Sequence, residues 1–292
     1  MKVSLANALG TCFGVEDAIT MAMTPEFGKN LTIVGQLVHN PQINESLKKN
    51  GVSLVNNIDA IDKIKTKKVM ITAHGAAQKT KDKLEDAGFT VYDASCPLVM
   101  RVHKTIQSMV TKGYFPVVIG QQDHVEVKGI VGDLEDYLVI SGESDITKIQ
   151  RSGKRKLGIV SQTTLQVEKV EDLVKKIRDK SYVDDVYFVN TICQPTRDRQ
   201  VAVRDLAEQV DIMIVIGGYN SSNTKKLVQV CEEKNILAFH IESYSQLKKD
   251  WFYNRTHVGI TAGTSTPEHV INEVHEAILE IAKTTGSEPA VH

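Results

Sequence analysis

The chain has 292 residues, 41% of them hydrophobic and 24% charged, which is enough to bury the core of one large domain or of several small ones. Thirty-five Lys and Arg stand against 36 Asp and Glu, a formal net charge of -1. No overall basic field draws the chain to nucleic acid or to an acidic membrane surface, and neither partner is expected.

The opening MKVSLANALG has no secretory pattern. No apolar run approaches the roughly 20 residues of a transmembrane helix, so a cytoplasmic protein is expected. Of the four cysteines, Cys12, Cys96, Cys193 and Cys231, none forms a C-x-x-C pair. Thiols in that setting are reduced, catalytic or metal-binding more often than disulfide-bonded.

Taken in chain order, short β-branched runs alternate with polar turns and helix-like segments, the pattern of an α/β protein. VSLANALGT runs up to Cys12, and the helix-like FGVEDAITMAM follows. LTIVGQLVHN (31–40) is a strand leading to His39, and VMITAHGAAQ (69–78) one leading to His74. VYDASCPLVM (91–100) reads as a buried strand that ends on Cys96. Pro97 then opens a helix, in the first turn, where its missing N–H is not needed.

FPVVIGQQDHVEV (115–127) carries His124 and Glu126 in a loop, and LGIVSQTTLQ (157–166) carries Thr163. VYFVNTI runs up to Cys193, followed by the helix-like QPTRDRQVAVRDLAEQV. DIMIVIGGYNSSNTKKL (211–227) brings Asn220, Ser221, Ser222 and Asn223, and VGITAGTSTPEHV (258–270) brings Thr264, Ser265 and Thr266.

His39, His124 and Ser221 lie 27 or 28 residues after Cys12, Cys96 and Cys193. This spacing suggests three related α/β lobes: 13–95, 96–190 and 191–283, with 1–12 packing centrally and 284–292 a disordered tail. The plainer alternative is ordinary strand and helix alternation with no internal kinship.

Ligands of parallel sheets bind beyond the carboxyl ends of the strands. If three lobes turned those ends inward, the cysteines and the polar loops would converge on one cavity. A thiol that opens a helix sees the positive end of that helix, which favours the thiolate. Structural zinc takes four ligands, commonly in close sequence pairs, and a histidine could supply the fourth. An iron–sulfur cluster accepts thiolates from distant positions, and three cysteines on a four-iron cluster would leave one iron open as a Lewis acid. Cys231, four residues after Leu227 on an amphipathic pattern, belongs to packing. His124 and Glu126 could form an acid and base pair or leave Glu126 as a solvated loop carboxylate. The row from Asn220 to Asn223 could cap a helix or hold an anion such as a phosphate.

CFGV at 12–15, VHNP at 38–41, AHG at 73–75, DASCP at 93–97, SQTT at 161–164, NTIC at 190–193, NSSNT at 220–224 and TAGTSTP at 261–267 together resemble the 4-hydroxy-3-methylbut-2-enyl diphosphate reductases, the last enzymes of the non-mevalonate isoprenoid pathway. The resemblance covers nearly the whole chain. It implies a trefoil-like, pseudo-threefold α/β fold around one [4Fe–4S] cluster held by Cys12, Cys96 and Cys193. It implies a substrate whose hydroxyl meets the open iron and whose diphosphate is held by His39, His74, His124, Ser221, Asn223 and Ser265, with Ser222 beside them. Glu126 would supply protons and Thr163 would sit near the substrate hydroxyl. Two electrons and two protons would enter and water would leave, giving isopentenyl and dimethylallyl diphosphate, with a one-electron donor such as ferredoxin or flavodoxin. Three positions depart from the family pattern: NALGTC before the first cysteine, Ser95 where Thr is common, and Val125 where a proline would fix φ.

Two other readings stand beside this one. A quinolinate synthase-like enzyme would also suit three cysteines on a threefold α/β assembly. A non-catalytic iron–sulfur sensor or carrier would need neither Glu126 nor the hydroxyl row. No G-x-G-x-x-G follows any candidate strand, which gives dinucleotide binding little support.

Overall fold

The computed structural model describes residues 1–27, 29–56 and 58–285. The first third contains β1 (Lys2–Leu5), α1 (Phe13–Ala22), β2 (Leu31–Val34), α2 (Pro41–Lys49), β3 (Ser53–Val55), β4 (Lys68–Ile71), α3 (Gln78–Asp86) and β5 (Thr90–Asp93). Next come α4 (Pro97–Thr111), β6 (Phe115–Ile119), α5 (Val125–Val131), β7 (Leu138–Ile140), α6 (Ile146–Ser152), β8 (Lys156–Ser161), α7 (Val167–Arg178) and β9 (Asp185–Phe188). The chain closes with α8 (Gln194–Ala207), β10 (Ile212–Ile216), α9 (Ser222–Glu233), β11 (Leu237–Ile241), β12 (His257–Ala262) and α10 (Glu268–Thr285). Of the expected tail at 284–292, residues 284 and 285 belong to α10, and 286–292 lie outside the described residues.

The strands form three four-stranded sheets, ordered β3-β2-β4-β5, β7-β6-β8-β9 and β1-β12-β10-β11. Every pairing is parallel. The three orders are one order: a first strand flanked by the second and third, with the fourth outside the third. In the last sheet β1 takes the fourth place, pairing Leu5 with Ile260. The expected lobed α/β architecture is therefore visible as a repeated topology.

The sequence explains which strands are central. LTIV, KVMI, FPVVI, KLGIVS, IMIVI and HVGITA are almost continuously apolar and buried, as strands covered on both faces must be. The outer strands are shorter or half-exposed. β5, expected to be a buried strand, is an edge strand with Thr90 and Asp93 exposed.

The chain divides into two compact units. The first, Met1–Cys12 with His39–Pro41 and Gln194–His292, holds the β1-β12-β10-β11 sheet. Its core packs Ile212, Ile214 and Ile260 against Val270, Val274 and Ile278 of α10. The second, Phe13–Val38 with Gln42–Cys193, holds the other two sheets. One of its cores joins Val117, Ile119 and Ile159 to Leu173, Val174 and Ile177 of α7. Within this unit the Asp133 carboxylate, just beyond α5, accepts the N–H groups of Gln78 (2.6 Å) and Lys79 (3.1 Å). A carboxylate at a helix N-terminus satisfies orphan donors and complements the dipole, so Asp133 ties α3 to α5. No described helix is long and apolar enough to cross a membrane.

Gly158 occupies the third position of β8, where a Cβ would lie 2.9 Å from Met109 Cβ and 3.0 Å from Tyr114 Cβ. Overpacking of that kind costs roughly 1–3 kcal/mol. Gly158→Val is expected to lose about that much stability in urea unfolding; a loss below about 0.5 kcal/mol would contradict the close packing of α4 on β8.

Candidate active site

Cys12, Cys96 and Cys193 do not end strands, as their sequence settings suggest. β1 stops at Leu5, β5 at Asp93 and β9 at Phe188. Instead, each cysteine immediately precedes a helix, α1, α4 or α8. What holds them is a continuation of the parallel ladder past the regular strand. Ala94 and Cys96 donate their N–H groups to the carbonyls of Ile71 (3.1 Å) and Ala73 (3.0 Å). Val189 and Cys193 donate to Ile159 (3.0 Å) and Thr163 (3.1 Å), and between them the Thr191 hydroxyl accepts the Ser161 N–H (2.8 Å). Gly10 and Cys12 donate to Ala262 (3.3 Å) and Thr264 (3.2 Å).

None of the three is in a disulfide, and all are partly exposed. Cys231 differs, since it is fully buried on α9 among Leu206, Val210 and Leu227. Burial, with a lesser contribution from Glu232, pushes its thiol up to about 12. That is a packing cysteine, as its sequence context implies.

In the second unit, α5 opens at Val125, so His124 and Glu126 belong to a helix start and not to a loop. His124 is the N-cap, its Nδ1 accepting the Glu126 N–H at 3.2 Å. An accepting Nδ1 leaves the ring proton on Nε2, so the imidazole presents a donor there. The His74 ring lies edge-on to it, with centroids 5.9 Å apart.

Glu126 is only 1% exposed, which overturns the solvated-carboxylate alternative. Its Oε1 accepts the Thr163 N–H at 2.7 Å and its Oε2 accepts the Thr163 hydroxyl at 2.8 Å. Burial dominates over those two bonds and raises the carboxyl to about 7. The same Thr163 supplies the carbonyl that holds Cys193. Likewise Ala73, which holds Cys96, is the residue before His74.

Gly14, in the first turn of α1, leaves space at Cys96: a Cβ there would sit 2.4 Å from the Cys96 sulfur. The turn carrying Cys96 is braced by Asp93, which accepts the backbone N–H of Ser95 (2.9 Å) and the ammonium of Lys81 (2.5 Å). Burial opposes ionisation of Asp93, but the bonds from Lys81 and Ser95 outweigh it and hold the carboxyl below its usual range.

The first unit gathers the remaining candidates. Ser221 caps α9, its Oγ accepting the Thr224 N–H at 3.2 Å, with Ser222 and Asn223 in the first turn. All three are nearly buried. Asn223 Oδ1 accepts the Thr264 N–H at 3.0 Å, which fixes the loop holding both Cys12 and Ser265. The Ser265 hydroxyl donates to the His39 carbonyl at 3.5 Å. A Cβ on Gly218 would lie 2.4 Å from that same carbonyl oxygen, so only glycine admits the His39 backbone there. Burial first, then the Lys225 charge, keeps the His39 imidazole below its ordinary range.

Two braces escaped the reading of motifs. Arg199, 7% exposed, donates to the carbonyls of Gly10 (3.2 and 2.5 Å) and Thr11 (3.2 Å), clamping the approach to Cys12. The Lys81–Asp93 pair is the other. Arg199 reaches backbone far along the chain and Lys81 pairs with a side chain twelve residues on, and neither contact leaves a local sequence signature.

Thus Glu126, Thr163, His124, His74, Cys96 and Cys193 fall in the second unit, and Cys12, His39, Ser221, Ser222, Asn223 and Ser265 in the first. Among the described residues, no three His, Cys, Asp or Glu converge as the ligands of a single metal ion would. Three cysteines outside any disulfide, each directly before a helix, are donors of the kind that hold an iron–sulfur cluster.

Over residues 3–279 the chain matches the family described as LytB protein. It is 38% identical to the 4-hydroxy-3-methylbut-2-enyl diphosphate reductase of Geotalea uraniireducens (strain Rf4), over 97% of this chain and 99% of that one. It is 39% identical to the enzyme of the same name from Geotalea daltonii, with the same coverage. The solved E-1-hydroxy-2-methyl-but-2-enyl-4-diphosphate reductase of Plasmodium falciparum superposes with a TM-score of 0.87 at 26% identity, over 94% of this chain and 87% of that chain. The resemblance carried by the motifs is borne out, and none of these relatives is a quinolinate synthase. The chain belongs to the LytB protein family.

Proposed function

We propose that the chain reduces 4-hydroxy-3-methylbut-2-enyl diphosphate to isopentenyl and dimethylallyl diphosphate. The net change is R–OH + 2 e⁻ + 2 H⁺ → R–H + H₂O, an oxidoreductase reaction of the non-mevalonate isoprenoid pathway. Its relatives bear the name of that enzyme. The single observation that carries the reading to this chain's own chemistry is the Glu126 carboxyl, buried, held at both oxygens by Thr163 and raised to about 7.

One [4Fe–4S] cluster per chain is assigned to Cys12, Cys96 and Cys193, three cysteines outside any disulfide, each anchored through its backbone N–H. When bound, it supplies electrons singly and one Lewis-acidic iron without a protein ligand. The three sheets with their helices are taken as the lobes 13–95, 96–190 and 191–283.

A carboxylic acid near neutrality can hold a proton until the departing hydroxyl needs it, which is the general-acid role. Glu126 is given that role, and Thr163 keeps its carboxyl oriented toward the substrate hydroxyl. The diphosphate is assigned to donors: Nε2 of His124, the imidazoles of His39 and His74, the hydroxyls of Ser221, Ser222 and Ser265, and the Asn223 amide. The first-turn N–H groups of α9 add a positive helix end suited to phosphate. A sensor or carrier would have no use for a buried acid at the working pH, so that alternative loses ground.

Anaerobically reconstituted protein, driven by reduced methyl viologen, is expected to convert the substrate and release water. Glu126→Gln should retain the visible absorbance of the cluster and lose about 10²- to 10⁴-fold in turnover; undiminished turnover would remove Glu126 from the reaction.

The pH profile gives a second check. A carboxyl raised by burial is protonated below its folded value, so the acid form is filled in mildly acidic solution and drains as pH rises through about 7. Wild-type turnover should fall across that window, and the residual turnover of Glu126→Gln should not. A wild-type profile flat from about pH 6 to about pH 8 would contradict the assignment.

A further inference from the structure

The reduction proposed above needs two electrons, delivered one at a time by a partner, and the present inference rests on that reading. We propose that the outward face of α4 with the neighbouring end of β9 is the docking surface for that partner, a small acidic iron–sulfur electron carrier.

α4 begins at Pro97, the residue after Cys96, and Cys96 is its N-cap. Val99, Val102, Ile106 and Met109 turn inward. The opposite face follows the helical repeat through Pro97, Met100, Arg101 and Lys104, and with Tyr187 and Val189 it bounds a surface groove of about 500 Å³. The walls divide by chemistry: Pro97, Met100, Tyr187 and Val189 are largely apolar, Arg101 and Lys104 are cationic, and no carboxylate lines the groove. Both cations are exposed, and neither forms an ion pair among the described residues.

Lys112 adds a third positive charge, its ammonium 5.4 Å from the Tyr187 ring centroid. Tyr187 also packs against Tyr114, with centroids 5.4 Å apart, so the aromatic wall is held in place. The chain as a whole carries a formal charge of -1. The cationic groove is therefore a local feature and not a by-product of a basic composition.

Three properties match an electron carrier. The groove begins one residue from a thiol assigned to the cluster, and at about 1.5 Å per helical residue Arg101 and Lys104 stand about 6 and 10 Å along the axis from Pro97. Unpaired cations around a small apolar floor suit a transient electron-transfer encounter, which buries little area and relies on charge for its rate. A concave site takes a convex loop, the shape of a segment that wraps a small cluster, with carboxylates at its rim to meet Arg101 and Lys104. Each docking passes one electron: the carrier is oxidised by one and this chain is reduced by one. Two dockings and two protons turn one R–OH into R–H and water.

The test compares wild-type holoprotein with the double variant R101E/K104E and with K248E/K249E, an exposed pair in the other compact unit, as a control. Binding of an acidic plant-type [2Fe–2S] ferredoxin is measured by calorimetry, and turnover is measured with reduced ferredoxin and with reduced methyl viologen. R101E/K104E is expected to weaken ferredoxin binding and raise the KM for ferredoxin at least about tenfold, with viologen-driven turnover within about twofold of wild type. The wild-type Kd should rise as salt goes from about 50 to about 300 mM, and that of R101E/K104E should rise less. Binding unchanged in R101E/K104E, or weakened equally in K248E/K249E, overturns the location. Tight binding of a flavodoxin with none of the ferredoxin overturns the class of partner. A wild type inactive with viologen strikes the reductase reading itself, which the calorimetric comparison does not depend on.

Discussion

One backbone hydrogen bond, made three times, sets the geometry on which the rest depends. Cys12, Cys96 and Cys193 donate their N–H groups to the carbonyls of Thr264, Ala73 and Thr163, each just past the third strand of its sheet. A peptide N–H near the protein interior must find an acceptor. Extending the parallel ladder by two irregular rungs meets that need and fixes each thiol at the mouth of a sheet. The acceptors are informative. Thr264 precedes Ser265, Ala73 precedes His74, and Thr163 itself grips Glu126. Each of the three cysteines is thereby mechanically joined to a candidate for the substrate.

The second constraint is electrostatic. A carboxyl that is 1% exposed would lose its proton only at a cost that the two bonds from Thr163 do not offset, hence a value near 7. Desolvation and hydrogen bonding pull in opposite directions here, and desolvation wins. His39 shows the complementary case, since burial first and the Lys225 charge second disfavour its charged form. His124 reaches a similar end through tautomer, with Nδ1 occupied by the Glu126 N–H.

Much of this was legible in the sequence. The continuous apolar runs at 31–34, 68–71, 115–119, 156–161, 212–216 and 257–262 are the central strands of the three sheets, because burial on both faces demands that composition. The order of short motifs pointed to the family. What escaped was non-local. The pairing of β1 with β12 joins residues more than 250 apart, and no local pattern announces it. The helix at Val125 is only seven residues long, too short for a helical period to stand out in the sequence, and the cap that decides it is the side chain of His124. Arg199 reaches Gly10 across 189 positions; its role becomes evident only when the carbonyls it serves are in place.

The shared cluster is the claim on which the functional account turns, and iron and acid-labile sulfide analysis of anaerobically reconstituted protein tests it most directly. Wild type and Cys231→Ser should hold about four irons per chain, while Cys12→Ser, Cys96→Ser and Cys193→Ser should each fall well short and lose the visible spectrum. Full iron content in any one of those three, or loss of iron in Cys231→Ser, would contradict a single cluster held by the three backbone-anchored thiols.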